Sequence, residues 1–170
     1  MDMIRAMKTK IRIVALATAA VAATALAAPA GAQQYRQELR HSVAPCQGSG
    51  PAVWINITGI EETRGTLRIQ LYRGTRDDWL ERGRWLNRIE VPARAGSMQV
   101  CMPTPAAGTY AIAIRHDLNG NGRTDMTQDG GGMSNNPSIN IFNLGRPGVD
   151  RTRFAMGREV KSMTIRMRYM

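Results

Sequence analysis

Hydrophobic residues recur at every second position in five stretches of this chain, and that regularity restricts the fold more than any other feature. Val53, Ile55 and Ile57 alternate with Trp54, Asn56 and Thr58, and Leu67, Ile69 and Leu71 alternate with Arg68, Gln70 and Tyr72. Met98, Val100 and Met102 repeat the pattern, as do Tyr110, Ile112 and Ile114. Met163, Ile165, Met167 and Tyr169 close the chain against Ser162, Thr164, Arg166 and Arg168. Successive side chains of a strand point to opposite faces, so period two predicts half-buried strands. Weaker strands are expected near 85–91 and 151–156. One polar face per strand suits antiparallel sheets, which tolerate water on one side. No segment carries a long helical period, although 75–84 is expected to form a single turn capped by Asp77 and Asp78. The expected fold is all-β: an antiparallel β-sandwich of about seven strands over residues 51–170, with one long Gly/Asn-rich loop.

The first 32 residues follow different rules. Arg5, Lys8, Lys10 and Arg12 stand against Asp2, an Ala-rich apolar run follows to Ala28, and Ala30-Gly31-Ala32 ends the segment. A basic start, an apolar middle and an A-x-A end describe a secretory signal peptide cleaved after about Ala32, which predicts a periplasmic or secreted protein. The apolar run is short of the ~20 residues a spanning helix needs, and no later segment is apolar enough to span a bilayer. The expected strands are also too short and too few for an outer-membrane barrel. The whole chain of 170 residues carries a net charge of +10; residues 1–32 hold four cations and one acid, so their removal leaves +7. With 43% hydrophobic and 21% charged residues, the composition excludes a collagen, a disordered polyanion and a helical membrane bundle.

Residues 33–50 read as a polar N-terminal arm. Cys46 and Cys101 are the only cysteines. An even pair in an exported chain predicts one disulfide, with two buried thiols as the alternative. There is no C-x-x-C to support a redox role.

Residues 117–148 are rich in Gly, Pro, Asn and Asp and read as the long loop. Loops of this length in a compact domain are usually functional or disordered. It opens Asp117-Leu118-Asn119-Gly120-Asn121-Gly122-Arg123-Thr124-Asp125. Oxygen-bearing side chains fall at relative positions one, three, five and nine, with Gly at six, which is the first half of a calcium loop. Asp117, Asn119, Asn121, the Arg123 carbonyl and Asp125 would supply about five of the 6–8 oxygens that Ca2+ takes. Position twelve, normally a bidentate Glu, is Gln128, and Asp129 falls one residue late. The alternative is a metal-free hairpin built on Asx turns, for which Asn-Gly pairs are well suited. His116 precedes the loop on the inward side of its strand and is expected to be a structural hydrogen-bonder. A general-base role would need a partner nucleophile that the sequence does not mark. Ser134 lies in Gly-Met-Ser-Asn-Asn, not in the G-x-S-x-G of a hydrolase elbow.

The stretch from Gly108 to Asp125, with Ser134, Asn135 and Asn136 after it, resembles a bacterial exported family catalogued as domain of unknown function 2141. Gly108, Tyr110, Ala111, His116, Asp117, Asn119, Asn121, Gly122 and Asp125 carry its G-x-Y-A and H-D-x-N-x-N-G-x-x-D motifs. The resemblance extends loosely over 53–170. It implies an immunoglobulin-like or transthyretin-like sandwich, and it implies no activity.

The leading functional expectation is therefore an exported, non-enzymatic binding or structural module. Its segment from Asp117 to Asn136, flanked by His116 and including Ser134, Asn135 and Asn136, would be a rigid recognition tip, with or without calcium. The +7 charge, nearly all Arg, raises a second expectation: binding of envelope polyanions through Arg151, Arg153, Arg158, Lys161, Arg166 and Arg168, without specific nucleic-acid recognition. A third is an enzyme using His116 and the loop carboxylates, for which no nucleophile or oxyanion site is marked. A fourth, copper held by Met98/Met102 and Met163/Met167, competes with the gap-filling role of Met in strand cores.

Overall fold

All seven expected strands form, and two more join them. The computed structural model describes residues 34–125, 127–139, 143 and 145–169. The expected signal peptide lies outside the described residues. The strands are β1 (Gln37–Leu39), β2 (Ala52–Ile60), β3 (Thr66–Arg73), β4 (Asn87–Pro92), β5 (Gly96–Pro103), β6 (Gly108–Asp117), β7 (Gly130–Met133), β8 (Phe154–Met156) and β9 (Val160–Arg166).

They make two sheets. One runs β1-β4-β3-β6-β7, with β8 also pairing β6; the other runs β5-β2-β9. Most pairs are antiparallel, but β1 runs parallel to β4 and β9 parallel to β2, so both sheets are mixed. The alternating residues meet between the sheets. Val53, Ile55, Ile57, Val100, Met102 and Ile165 from one side pack with Leu67, Ile69, Leu71, Ile89, Ile112 and Ile114 from the other. Each fully buried aliphatic side chain contributes about 1.5–3 kcal/mol relative to exposure. Met102 and Met167 are buried in this core, and Met98 and Met163 pack against it, as gap fillers.

The arm is part of the domain. β1 extends the larger sheet, and a four-residue helical turn (Ala44–Gln47) places Cys46 in a disulfide with Cys101 of β5. The turn after β3 forms, with the Trp79 N–H donating to the Thr75 carbonyl. Asp78 is not its cap. Its buried carboxylate accepts from the hydroxyls of Tyr35 and Thr75 and pairs with Arg84 at 2.9 Å.

β7 interrupts the long loop. Gly130 and Gly132 sit where a Cβ would collide with the Tyr169 ring and with Ile165 and Met167, so only glycine lets this strand lie so close. The Gly131 and Arg168 backbones then exchange two hydrogen bonds, and the chain after β9 thereby ties the two sheets together along one side.

Candidate functional site

β6 delivers the candidate residues to one end of the larger sheet. Its alternation sends Ile112, Ile114 and His116 inward and Ala113 and Arg115 outward. His116 is fully buried. Its Nε2 lies 2.7 Å from the Arg64 carbonyl, which can only accept, so Nε2 carries the proton. Nδ1 then accepts from the Tyr169 hydroxyl at 2.7 Å, and that oxygen accepts from the Glu61 N–H. Both ring nitrogens are spent on fixing the 61–64 turn and the C-terminal tyrosine. Burial pushes the Tyr169 phenol pKa upward, which favours the neutral hydroxyl this bond requires.

Beyond His116 the chain coils tightly. Gly122, with φ +75°, adopts the left-handed backbone that position six requires. Its N–H donates to Asp117 Oδ2 at 2.9 Å. Asn119 Oδ1 accepts from the Asn121 N–H (3.0 Å) and Asn121 Oδ1 from the Arg123 N–H (2.7 Å), two successive Asx turns. The amide nitrogens of Asn119 and Asn121 converge on Asp125 Oδ2 at 2.8 and 2.7 Å. These two hydrogen bonds, Asn119 first, hold the Asp125 carboxyl below its ordinary value.

Three residues outside the sequence-derived set complete the network. Arg115 donates to Thr124 Oγ1 (3.0 Å) and to Asp117 Oδ2 (3.3 Å). Asp129 is buried and accepts from the N–H groups of Leu118 (3.2 Å) and Asp125 (3.0 Å). The acid one place late for calcium therefore closes the loop through its backbone. Two side-chain atoms here are buried without a hydrogen-bond partner: Arg115 Nε and Asp117 Oδ1. Among the described residues no three His, Cys, Asp or Glu side chains gather as a metal cluster, so a cation here would draw largely on amide and carbonyl oxygens.

Ser134, Asn135 and Asn136 act as braces. The Ser134 hydroxyl is fully buried, donates to the Thr152 carbonyl (2.6 Å) and accepts from the Ile112 N–H (2.9 Å). Asn135 donates to the Arg153 carbonyl. Asn136 donates to the Thr164 carbonyl and accepts from the Arg166 N–H, which secures β9. Both asparagines have positive φ, which Asn tolerates better than most residues. Of the C-terminal basic residues, Arg153 is drawn onto Asp150 at 3.0 Å. Arg151, Arg158, Lys161, Arg166 and Arg168 are exposed.

Fold and site together define a β-sandwich protein with a cross-braced Asp/Asn/Gly loop at the exit of its longest strand. The chain belongs to the bacterial family domain of unknown function 2141, described as an uncharacterized protein conserved in bacteria, whose model matches residues 55–164. That span runs from β2 into β9 and includes the whole loop. No curated protein and no solved structure matches the chain.

Proposed function

We propose that this protein is an exported, non-enzymatic binding module whose rigid recognition tip is the 117–125 loop, and that the tip takes Ca2+ weakly. The basic, apolar and A-x-A pattern of residues 1–32 and the disulfide both support an oxidising compartment outside the cytoplasm. The engagement of both His116 nitrogens argues against a proton-transfer role.

The observation that carries the calcium reading is Asp117 Oδ1. A buried carboxylate oxygen without a partner is costly, and this one belongs to position one of the D-x-N-x-N-G-x-x-D spacing. A cation supplies the missing partner. Its entry turns the Asn119 and Asn121 oxygens toward the ion, in exchange for their amide bonds to Asp125 and the Asx-turn bonds those oxygens accept. Two carboxylates, one already bonded to Arg115, give little charge, and this supports an affinity no tighter than the millimolar range of extracellular modules.

Thermal unfolding tests this. At tenfold excess over Kd, Ca2+ contributes about 1.4 kcal/mol, a rise in Tm of about 4 °C for a domain of this size. Asp117→Asn removes that rise, and Mg2+, which demands tighter octahedral geometry, gives less. Equal melting curves with Ca2+ and with chelator, or an undiminished rise in Asp117→Asn, would overturn the calcium reading.

A further inference from the structure

The outward face of the larger sheet is not simply solvated. Tyr72, Trp79, Trp85, Ala111, Met133 and Val149 form a second apolar cluster there, outside the main core. Beside it lies a cavity of about 410 Å³, within the range of small-molecule sites. Its floor and wall include Tyr72, Met133 and Ile139, and its rim includes Arg115, Arg146 and Arg168. Asp129 also lines it, but both its oxygens are committed to backbone N–H groups.

Three observations point to an anion at the rim. First, three arginines, Arg115, Arg146 and Arg168, line the same cavity, a concentration of positive charge that attracts an anion. Second, the Arg115 side chain is only 17% exposed and its Nε is buried without a hydrogen-bond partner, so a guanidinium at the cavity has unspent donor capacity. Third, Arg168, at the rim, forms no ion pair among the described residues, and Arg146 is held only by the Leu80 carbonyl at 3.1 Å and an exposed Glu81 at 3.5 Å. The floor is open for a different reason. Gly131 lines the cavity, and a Cβ there meets only Ile139 Cδ1, at 3.8 Å, so the missing side chain leaves room.

We propose that this cavity binds a small amphipathic organic anion, of medium-chain fatty-acid size, with its carboxylate at Arg115, Arg146 and Arg168 and its apolar body over Tyr72, Met133 and Ile139. The site adjoins the loop through Arg115, which also bonds Asp117, but it requires no Ca2+ there. Arginine suits the head, because its planar fork matches a carboxylate. The apolar floor suits the tail, because the hydrophobic effect acts on the area removed from water.

The full-length protein, titrated with sodium decanoate, tests the proposal through tryptophan fluorescence, since Trp79 lies 5.5 Å from Tyr72, ring centre to ring centre. Decanoate is expected to give a saturable change. Decanol, which lacks the charge, and acetate, which lacks the tail, are each expected to bind at least about tenfold more weakly. Gly131→Leu fills the floor and is expected to abolish the change. Arg168→Gln, an exposed substitution that leaves the fold intact, weakens decanoate about tenfold and leaves decanol unaffected. Decanol or acetate binding as well as decanoate would overturn the proposal, as would full decanoate affinity in a folded Gly131→Leu or in Arg168→Gln. Because the readout contains no Ca2+, its failure leaves the loop reading untouched.

Discussion

The two faces of β6 end in opposite conditions. The inward face finishes at His116, sealed and with both nitrogens bonded. The outward face finishes at Arg115 and Asp117, each retaining a buried atom without a partner. Native interiors rarely leave such atoms, so these two carry a cost that the inward face does not. One face holds the sandwich together, and the other holds the cavity and the loop.

Substitutions on neighbouring positions break this comparison most strongly. Ile112→Ala, on the inner face, is expected to cost about 3–4 kcal/mol in urea unfolding, because it empties packed core. Met133→Ala, beside the outer cavity, is expected to cost about 2 kcal/mol, the low end for a buried Met, because space already adjoins it. Equal costs would remove the distinction. His116→Phe, which keeps a planar ring but orphans the Arg64 carbonyl and leaves the Tyr169 O–H without its acceptor, is expected to cost about 2–3 kcal/mol and to leave decanoate binding unchanged.

Alkali probes the outer face. Burial pushes Tyr72 up to about 12 from an unfolded value of 10.0. A phenol whose folded pKa is raised contributes stability that is complete below the unfolded value and lost as pH climbs through the folded one. Unfolding free energy should therefore fall by about 2 kcal/mol between pH 10 and 12, and Tyr72→Phe should flatten that limb. The smallest effect is at Asp125, whose pKa is lowered from 3.8. Its contribution is present above that value and fades as pH drops through the folded value. Amide exchange at Asn121 and Gly122 should accelerate in that acid window in the wild type but not, as a pH-dependent step, in Asp125→Asn.

The period-two segments made the inner core legible, since Leu67, Ile69 and Ile165 each alternate with polar neighbours and Ile112 with small alanines. The parallel pairings of β1 with β4 and of β2 with β9 were not, because local pattern carries no information about which distant strand lies alongside. β7 was hidden for another reason. Gly130, Gly131 and Gly132 have no side chains with which to show a period, and their strand character comes from contacts with Tyr169 and Met167 that only folding creates. Within the loop, spacing identified Asp117, Asn119, Asn121, Asp125 and the turn at Gly122. It missed Arg115 and Thr124, which act across the sheet surface. It counted Asp129 as misplaced, whereas its buried carboxylate fits the backbone N–H groups it actually meets.

A nitrogen–proton NMR correlation spectrum recorded during a Ca2+ titration addresses the loop most directly. The account predicts saturable shifts at the amides of Asn121, Gly122, Arg123 and Asp125 up to about 10 mM Ca2+, with Ile112 and Ile114 unmoved. Unchanged loop amides, or the same shifts in Asp117→Asn, would contradict it.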